Sequence, residues 1–172
     1  MIDNSSSTVS SNPAYELQLW LGAQEVFETM IGTTLTRCSD AQPIAVQFTA
    51  MVGIAGPLCG LLTIHCSKHS ALSIASRMLG APVEEDDPQT WDALGEVCNM
   101  VAGSFKAKLG EAGANSMLSV PTVVSGRDYR LRPMTSGTVT ELRSEFDGEP
   151  IWFRLQCTAD ESRESRTRAN AD

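Results

Sequence analysis

Asp92-Ala93-Leu94-Gly95-Glu96-Val97-Cys98-Asn99-Met100-Val101-Ala102-Gly103 is the stretch on which the reading of this chain turns. Leu94, Val97 and Val101, continued by Phe105 and Leu109, recur every three or four residues. That period predicts a long helix, from about Thr90 to Leu109, with one side turned to a core. Acids near its start and Lys106 and Lys108 near its end complement the helix dipole. Asp92, Glu96, Asn99, Gly103 and Lys106 follow at spacings of four, three, four and three, so they form one stripe on the opposite side. An exposed E-x-x-N pair is by itself ordinary on a solvated helix face. Asn inside a helix is nevertheless a mild misfit, because its side chain competes for backbone hydrogen bonds. A glycine one turn later costs about 1 kcal/mol relative to alanine. Two such choices on one face indicate a surface that something approaches closely.

The rest of the chain is organised around this helix. An earlier helix is expected from about Ala14 to Gly32, capped by Asn12, with Pro13 in its first turn and Leu17, Trp20, Leu21, Gln24, Phe27, Met30 and Ile31 at helical spacing, Gln24 being the one polar interruption. Ile44–Ala50 alternates like a strand, Gly53 and Gly56 punctuate a turn, and Leu58–Cys66 reads as a buried strand. Ser67 caps a helix to about Leu79, closed by Gly80. An acidic loop, 84–87, precedes the long helix. Ser119–Val124, Gly137–Leu142 and Ile151–Cys157 are the remaining strands, with an Asp147-Gly148 hairpin signal between the last two. Strands in adjacent runs predict an α+β fold, a mainly antiparallel sheet with helices on one face.

The 172 residues are 42% hydrophobic and 20% charged, with a formal net charge of −8. One domain with a real core is expected over 13–158. A Ser-rich tail, 1–12, and a charged tail, 159–172, are expected to be disordered. The acidic balance argues against binding nucleic acid or anionic lipid. The N-terminus has neither the basic start nor the apolar run of a secretory signal. Five cysteines without a CxxC spacing point to reduced thiols and a cytoplasmic setting.

A short repeat links the two main helices. Glu25-Val26-Phe27-Glu28 with Gly32 matches Glu96-Val97-Cys98-Asn99 with Gly103, the pattern being E-V-x-E/N-x-x-x-G. It predicts two related halves around one sheet, with Glu28 standing where the second copy has Asn99.

Asp92-x-x-x-Glu96-x-x-Asn99, followed by Gly103, resembles the D/S-x-x-x-E-x-x-N signature of the CheC/CheX/FliY phosphatases of bacterial chemotaxis. The stretch Leu94–Gly103, the first-helix segment Val26–Gly32 and Ser119–Gly126, with its P-x-V-x-x-G pattern, are similar to the CheX type. The resemblance covers about Ala14 to Cys157 and implies a CheC-like fold of two pseudo-related halves. It further implies hydrolysis of the aspartyl phosphate of a CheY-like response regulator. The single complete signature matches the one-site CheX pattern, and homodimer formation through sheet continuation is expected from the same likeness.

On that basis Asn99 is expected to orient the attacking water, since a carboxamide carries a donor and an acceptor on one short arm. Glu96 is expected to pair with a lysine of the regulator's phosphorylation site. Asp92, Gly103 and Lys106 are expected partner contacts. No cofactor of its own is expected, with Mg²⁺ supplied by the regulator. The alternative is a non-catalytic adaptor that binds or sequesters the regulator.

Other candidates carry ordinary readings. His65 and His69 are four apart but are expected to be structural, as is Cys98. Arg127, Arg130 and Arg132 around Tyr129 are expected on a solvated strand face. Trp20, Trp91 and Trp152 are expected core or dimer anchors.

Overall fold

The computed structural model describes residues 12–38, 44–84, 86–132 and 137–158. Both expected tails, apart from Asn12, and Glu85 of the acidic loop lie outside the described residues.

Three helices carry the layer above the sheet. Helix α1 (Pro13–Val26) starts on Asn12, whose side chain accepts from the Ala14 N–H, with Pro13 in its first turn. It runs into a π-helical turn (Phe27–Ile31), ended by Gly32 at φ 70°. Helix α2 (Lys68–Leu79) is capped by Ser67 and closed by Gly80, as expected. Helix α3 (Pro88–Ala107) is capped by Asp87, whose carboxylate accepts from the Gln89 N–H. A short helix α4 (Glu111–Ala114), not expected, follows it.

The strands are β1 (Thr36–Arg37), β2 (Phe48–Ala55), β3 (Cys59–Cys66), β4 (Met117–Leu118), β5 (Thr122–Ser125), β6 (Thr138–Phe146) and β7 (Glu149–Thr158). They form one sheet in the order β1-β6-β7-β3-β2-β4, with β5 also on β2. Every pairing is antiparallel. The α+β expectation therefore holds. Asp147 and Gly148, both at positive φ, make the predicted β6–β7 turn.

Alternation places one side of each central strand in the core. Phe48, Ala50, Val52 and Ile54 of β2 share it with Leu62, Ile64 and Cys66 of β3 and Ile151, Phe153, Leu155 and Cys157 of β7. Helix α3 supplies Leu94, Val97, Cys98, Val101, Ala102 and Phe105 to the same cluster. Burial of each large side chain stabilises by roughly 1.5–3 kcal/mol, so α3 is fixed rigidly over the sheet.

Several boundaries differ from the expectations. The strand expected at 44–50 is β2, Phe48–Ala55, and Gly53 lies within it, opposite Leu61. The parity read from Phe48 and Ala50 simply continues. Gly53 takes an outward position in that alternation, where Ser119 Oγ sits against it and accepts a hydrogen bond from its N–H at 2.9 Å. The expected strand 119–124 is split in two, since Ser119–Pro121 leave the ladder between β4 and β5. The buried face of α1 is Leu19, Gly22, Ala23 and Val26, and Leu17, Leu21 and Met30 are exposed. Apolar residues surround α1, and packing on α3 selects the side. At Gly22 an added Cβ would lie 3.0 Å from the Phe105 backbone nitrogen, so a side chain there would push the helices apart.

Candidate active site

Helix α3 holds the predicted stripe on its outer side. Asp92 and Glu96 are exposed, and Asn99, Gly103 and Lys106 are half-buried. Among the described residues no side chain bonds to Asp92, Glu96 or Asn99. Glu96 and Asn99, three apart, put their Cβ atoms about 5–6 Å from each other. The carboxylate and the carboxamide therefore stand together, free to meet an outside molecule.

Gly103 leaves open space beside them, as an added Cβ there would touch nothing within 4 Å. No packing among the described residues requires that glycine. Lys106 stands apart from the other four. Its Nζ donates to the Ser116 carbonyl, so the ammonium ties down the segment after α4. The sequence held no signal for this, because the acceptor is a backbone oxygen brought near only by the fold.

The rim of the stripe was not foreseen either. Pro121 Cβ and Cγ sit 3.5 Å from the Cβ position of Gly95. Trp91, its ring tilted against Phe48 at 5.7 Å, donates from Nε1 to Ser125 Oγ at 3.0 Å. The start of α3 is thus pinned to β5.

The first-helix copy of the motif has a different state. Glu25 accepts from Lys108 Nζ at 2.6 Å and Ser104 Oγ at 2.7 Å. Those bonds, the lysine foremost, hold its carboxyl below the usual range. Glu28 is exposed. Gly32 ends a π-turn, whereas Gly103 lies inside a regular helix.

The remaining candidates are structural in their surroundings. Cys98 is buried, and burial pushes its thiol up to about 12, so it is not a nucleophile. His65 lies between Thr49 Oγ1 and Thr63 Oγ1, both at 2.9 Å, and burial, reinforced by Arg154, pulls it down to about 4. His69 is on α2, with Nδ1 2.8 Å from a Glu149 carboxylate oxygen. Tyr129 hydrogen-bonds with Thr49 at 2.7 Å, and the exposed Arg127, Arg130 and Arg132 lie beyond β5 rather than on a strand. Trp20 and Trp152 lie under the guanidinium groups of Arg37 and Arg143. No described helix is long and apolar enough to cross a membrane.

This geometry was compared with known proteins. A CheY-P phosphatase CheX of Thermotoga maritima is 36% identical over 87 residues, 50% of this chain and 56% of the relative. The chain thus spans about half the length of that curated relative. The crystal structure of the chemotaxis protein CheX from Vibrio vulnificus superposes with a TM-score of 0.72 at 23% identity, covering 83% of this chain and 98% of that one. CheX in the CheX–CheY–BeF3–Mg²⁺ complex of Borrelia burgdorferi gives 0.63 at 21% identity, covering 83% and 97%. These two show a shared fold. The family model described as chemotaxis phosphatase CheX matches residues 48–143, more than half of the chain and the whole of α3. With its E-x-x-N stripe on the outer face of α3, the chain belongs to the CheX family.

Proposed function

We propose that this protein is a cytoplasmic phosphatase that hydrolyses the aspartyl phosphate of a CheY-like response regulator. The observation that carries the reading is the pair Glu96 and Asn99, side by side on a rigid helix and free of partners within the described chain. The naming of the Thermotoga relative and the Borrelia complex with CheY support it.

An acyl phosphate is already activated, so the task is to place a water in line and hold the participants together. Asn99 reaches into the regulator's site and orients that water through its amide oxygen and nitrogen. It is not a base, since an amide does not titrate in the useful range. Glu96 pairs with a lysine of the regulator and fixes the register in which Asn99 enters. Asp92 and Gly103 extend the contact along the stripe, one as a charge and the other by leaving room. Lys106 serves the same face by holding Ser116. The Mg²⁺ of the reaction belongs to the regulator. A homodimer extends the sheet between subunits.

The decisive experiment times loss of phosphate from a phosphorylated CheY-like receiver with wild type, Asn99→Ala, Glu96→Ala and Glu28→Ala. Asn99→Ala is expected to abolish the acceleration with its fold intact, and Glu96→Ala to weaken both docking and rate. Glu28→Ala is expected to act as wild type. Equal rates for Asn99→Ala and wild type overturn the assignment. Binding without acceleration by wild type identifies an adaptor.

A further inference from the structure

Two of the most exposed apolar side chains, Met117 at 73% and Val120 at 83%, stand on one short segment. That segment is tied to α3 at both ends. Lys106 holds the Ser116 carbonyl, and Pro121 packs over Gly95. Gly95, Asn99, Ala102 and Lys106 follow at spacings of four, three and four, so the two tie points share a row with Asn99. Residues 117–120 therefore span two tie points that lie on either side of Asn99 along α3.

The segment is also rigid. Ser119 accepts from the Gly53 N–H and itself donates to the Gly53 carbonyl from its backbone nitrogen, both at 2.9 Å. Ser116 Oγ accepts from the Leu58 N–H at 3.0 Å and donates to the Ala112 carbonyl at 2.7 Å. Leu118 pairs with Ile54. With the backbone already fixed, only side-chain rotamers remain to be ordered when a partner covers these residues, and Val120 has a single stiff one. An anchor beside the reacting group is where binding energy concentrates.

We propose that Val120, with Met117, is a docking wall for the receiver domain of the phosphorylated regulator. It packs on an apolar patch beside the phosphoaspartate and supplies binding energy that holds the receiver against α3. This inference rests on the phosphatase reading and assigns docking residues to it. The occupant is the receiver because the segment carrying the wall is tied to α3 on either side of Asn99, at Lys106 and at Gly95, so it flanks the Glu96–Asn99 stripe.

The test measures affinity for a receiver locked with beryllofluoride, together with dephosphorylation kinetics and light scattering. The variants are Val120→Asp, Met117→Asp and the conservative Val120→Ile. Val120→Asp is expected to raise Kd and KM together by about tenfold, or about 1.4 kcal/mol, with kcat within about twofold and the melting curve unmoved. Val120→Ile is expected to bind within about twofold of wild type. In an Asn99→Ala background Val120→Asp is expected to weaken binding by the same factor. Unchanged Kd and KM in Val120→Asp, with wild type active, overturn the wall and leave the phosphatase reading intact. A loss confined to kcat also overturns it. So does a change in self-association in place of receiver affinity, which would assign the segment to a second copy. Wild type that neither binds nor accelerates the receiver overturns both readings together.

Discussion

Replacing Gly103 separates stability from function in opposite directions. The residue lies within α3 at ordinary helical dihedrals, four residues before the helix ends at Ala107. Alanine in a helix interior is favoured over glycine by about 0.8–1.0 kcal/mol, chiefly through the entropy of the unfolded chain. Nothing within 4 Å opposes an added Cβ at this site, so little of that gain is lost to clash. Gly103→Ala should therefore stabilise by about 1 kcal/mol, which for a domain of this size raises Tm by about 3 °C. Gly103→Leu should fold as well as wild type, since a leucine there projects into open space. It also places a branched side chain one turn from Asn99, where the receiver must come close. A Kd for the beryllofluoride-locked receiver raised at least about tenfold is expected, measured beside thermal melts of all three proteins. Destabilisation by Gly103→Ala would show that packing, not docking, needs the glycine. Wild-type affinity in Gly103→Leu would remove this part of α3 from the interface.

Two further outcomes follow from buried groups. His65 is held neutral near pKa 4 against 6.5 when unfolded, so the unfolded chain binds the extra proton between those values. The stabilisation is complete above about pH 6.5 and falls as pH drops toward 4, by about 3 kcal/mol. Urea melts at pH 7 and pH 4 should show that loss, and His65→Asn should shrink it. For the thiols, Cys66, Cys98 and Cys157 are buried and pushed up to about 12, whereas Cys59 is exposed. A thiol reagent at neutral pH should label Cys59 in the native protein and reach the other three only after unfolding. Native labelling of Cys98 would refute the packing of α3.

What the sequence made legible was whatever is decided within a few residues. Ser67 and Gly80 bracket α2, Asp147-Gly148 specifies its turn, and the apolar side of α3 has a clean period. Where longer-range packing decides, the signal disappears. Leu17 and Leu21 are as apolar as Leu19 and Ala23, and only the approach of α3 at Gly22 selects between them. Strands β1 and β4 have two residues each, too few to show a period. Gly53 looked like a turn because its partner, Ser119, is far away in sequence. The proposed site divides the same way. The stripe from Asp92 to Gly103 is a matter of helical spacing, but the role of Lys106 and the packing of Pro121 on Gly95 depend on where the segment after α4 returns.

The two copies of the short repeat show why a shared pattern does not mean a shared site. The residue difference between them, Glu28 for Asn99, is only part of the separation. Glu25 matches Glu96 in sequence, yet it is engaged by Lys108 and Ser104 from the end of α3, while Glu96 has no such neighbour among the described residues. That engagement exists because α3 continues past its glycine for a further turn, to Ala107, and carries Lys108 just beyond. On the first copy the chain leaves the helix at Gly32, through a π-turn that shifts Glu28 from the register an α-helix would give it. The carboxylate that would aim an asparagine on the first helix is thus held by a cation, and the following turn is wound differently. Both effects act through backbone winding and helix length. A second docking face would therefore need the first helix to be rewound as well as Glu28 replaced.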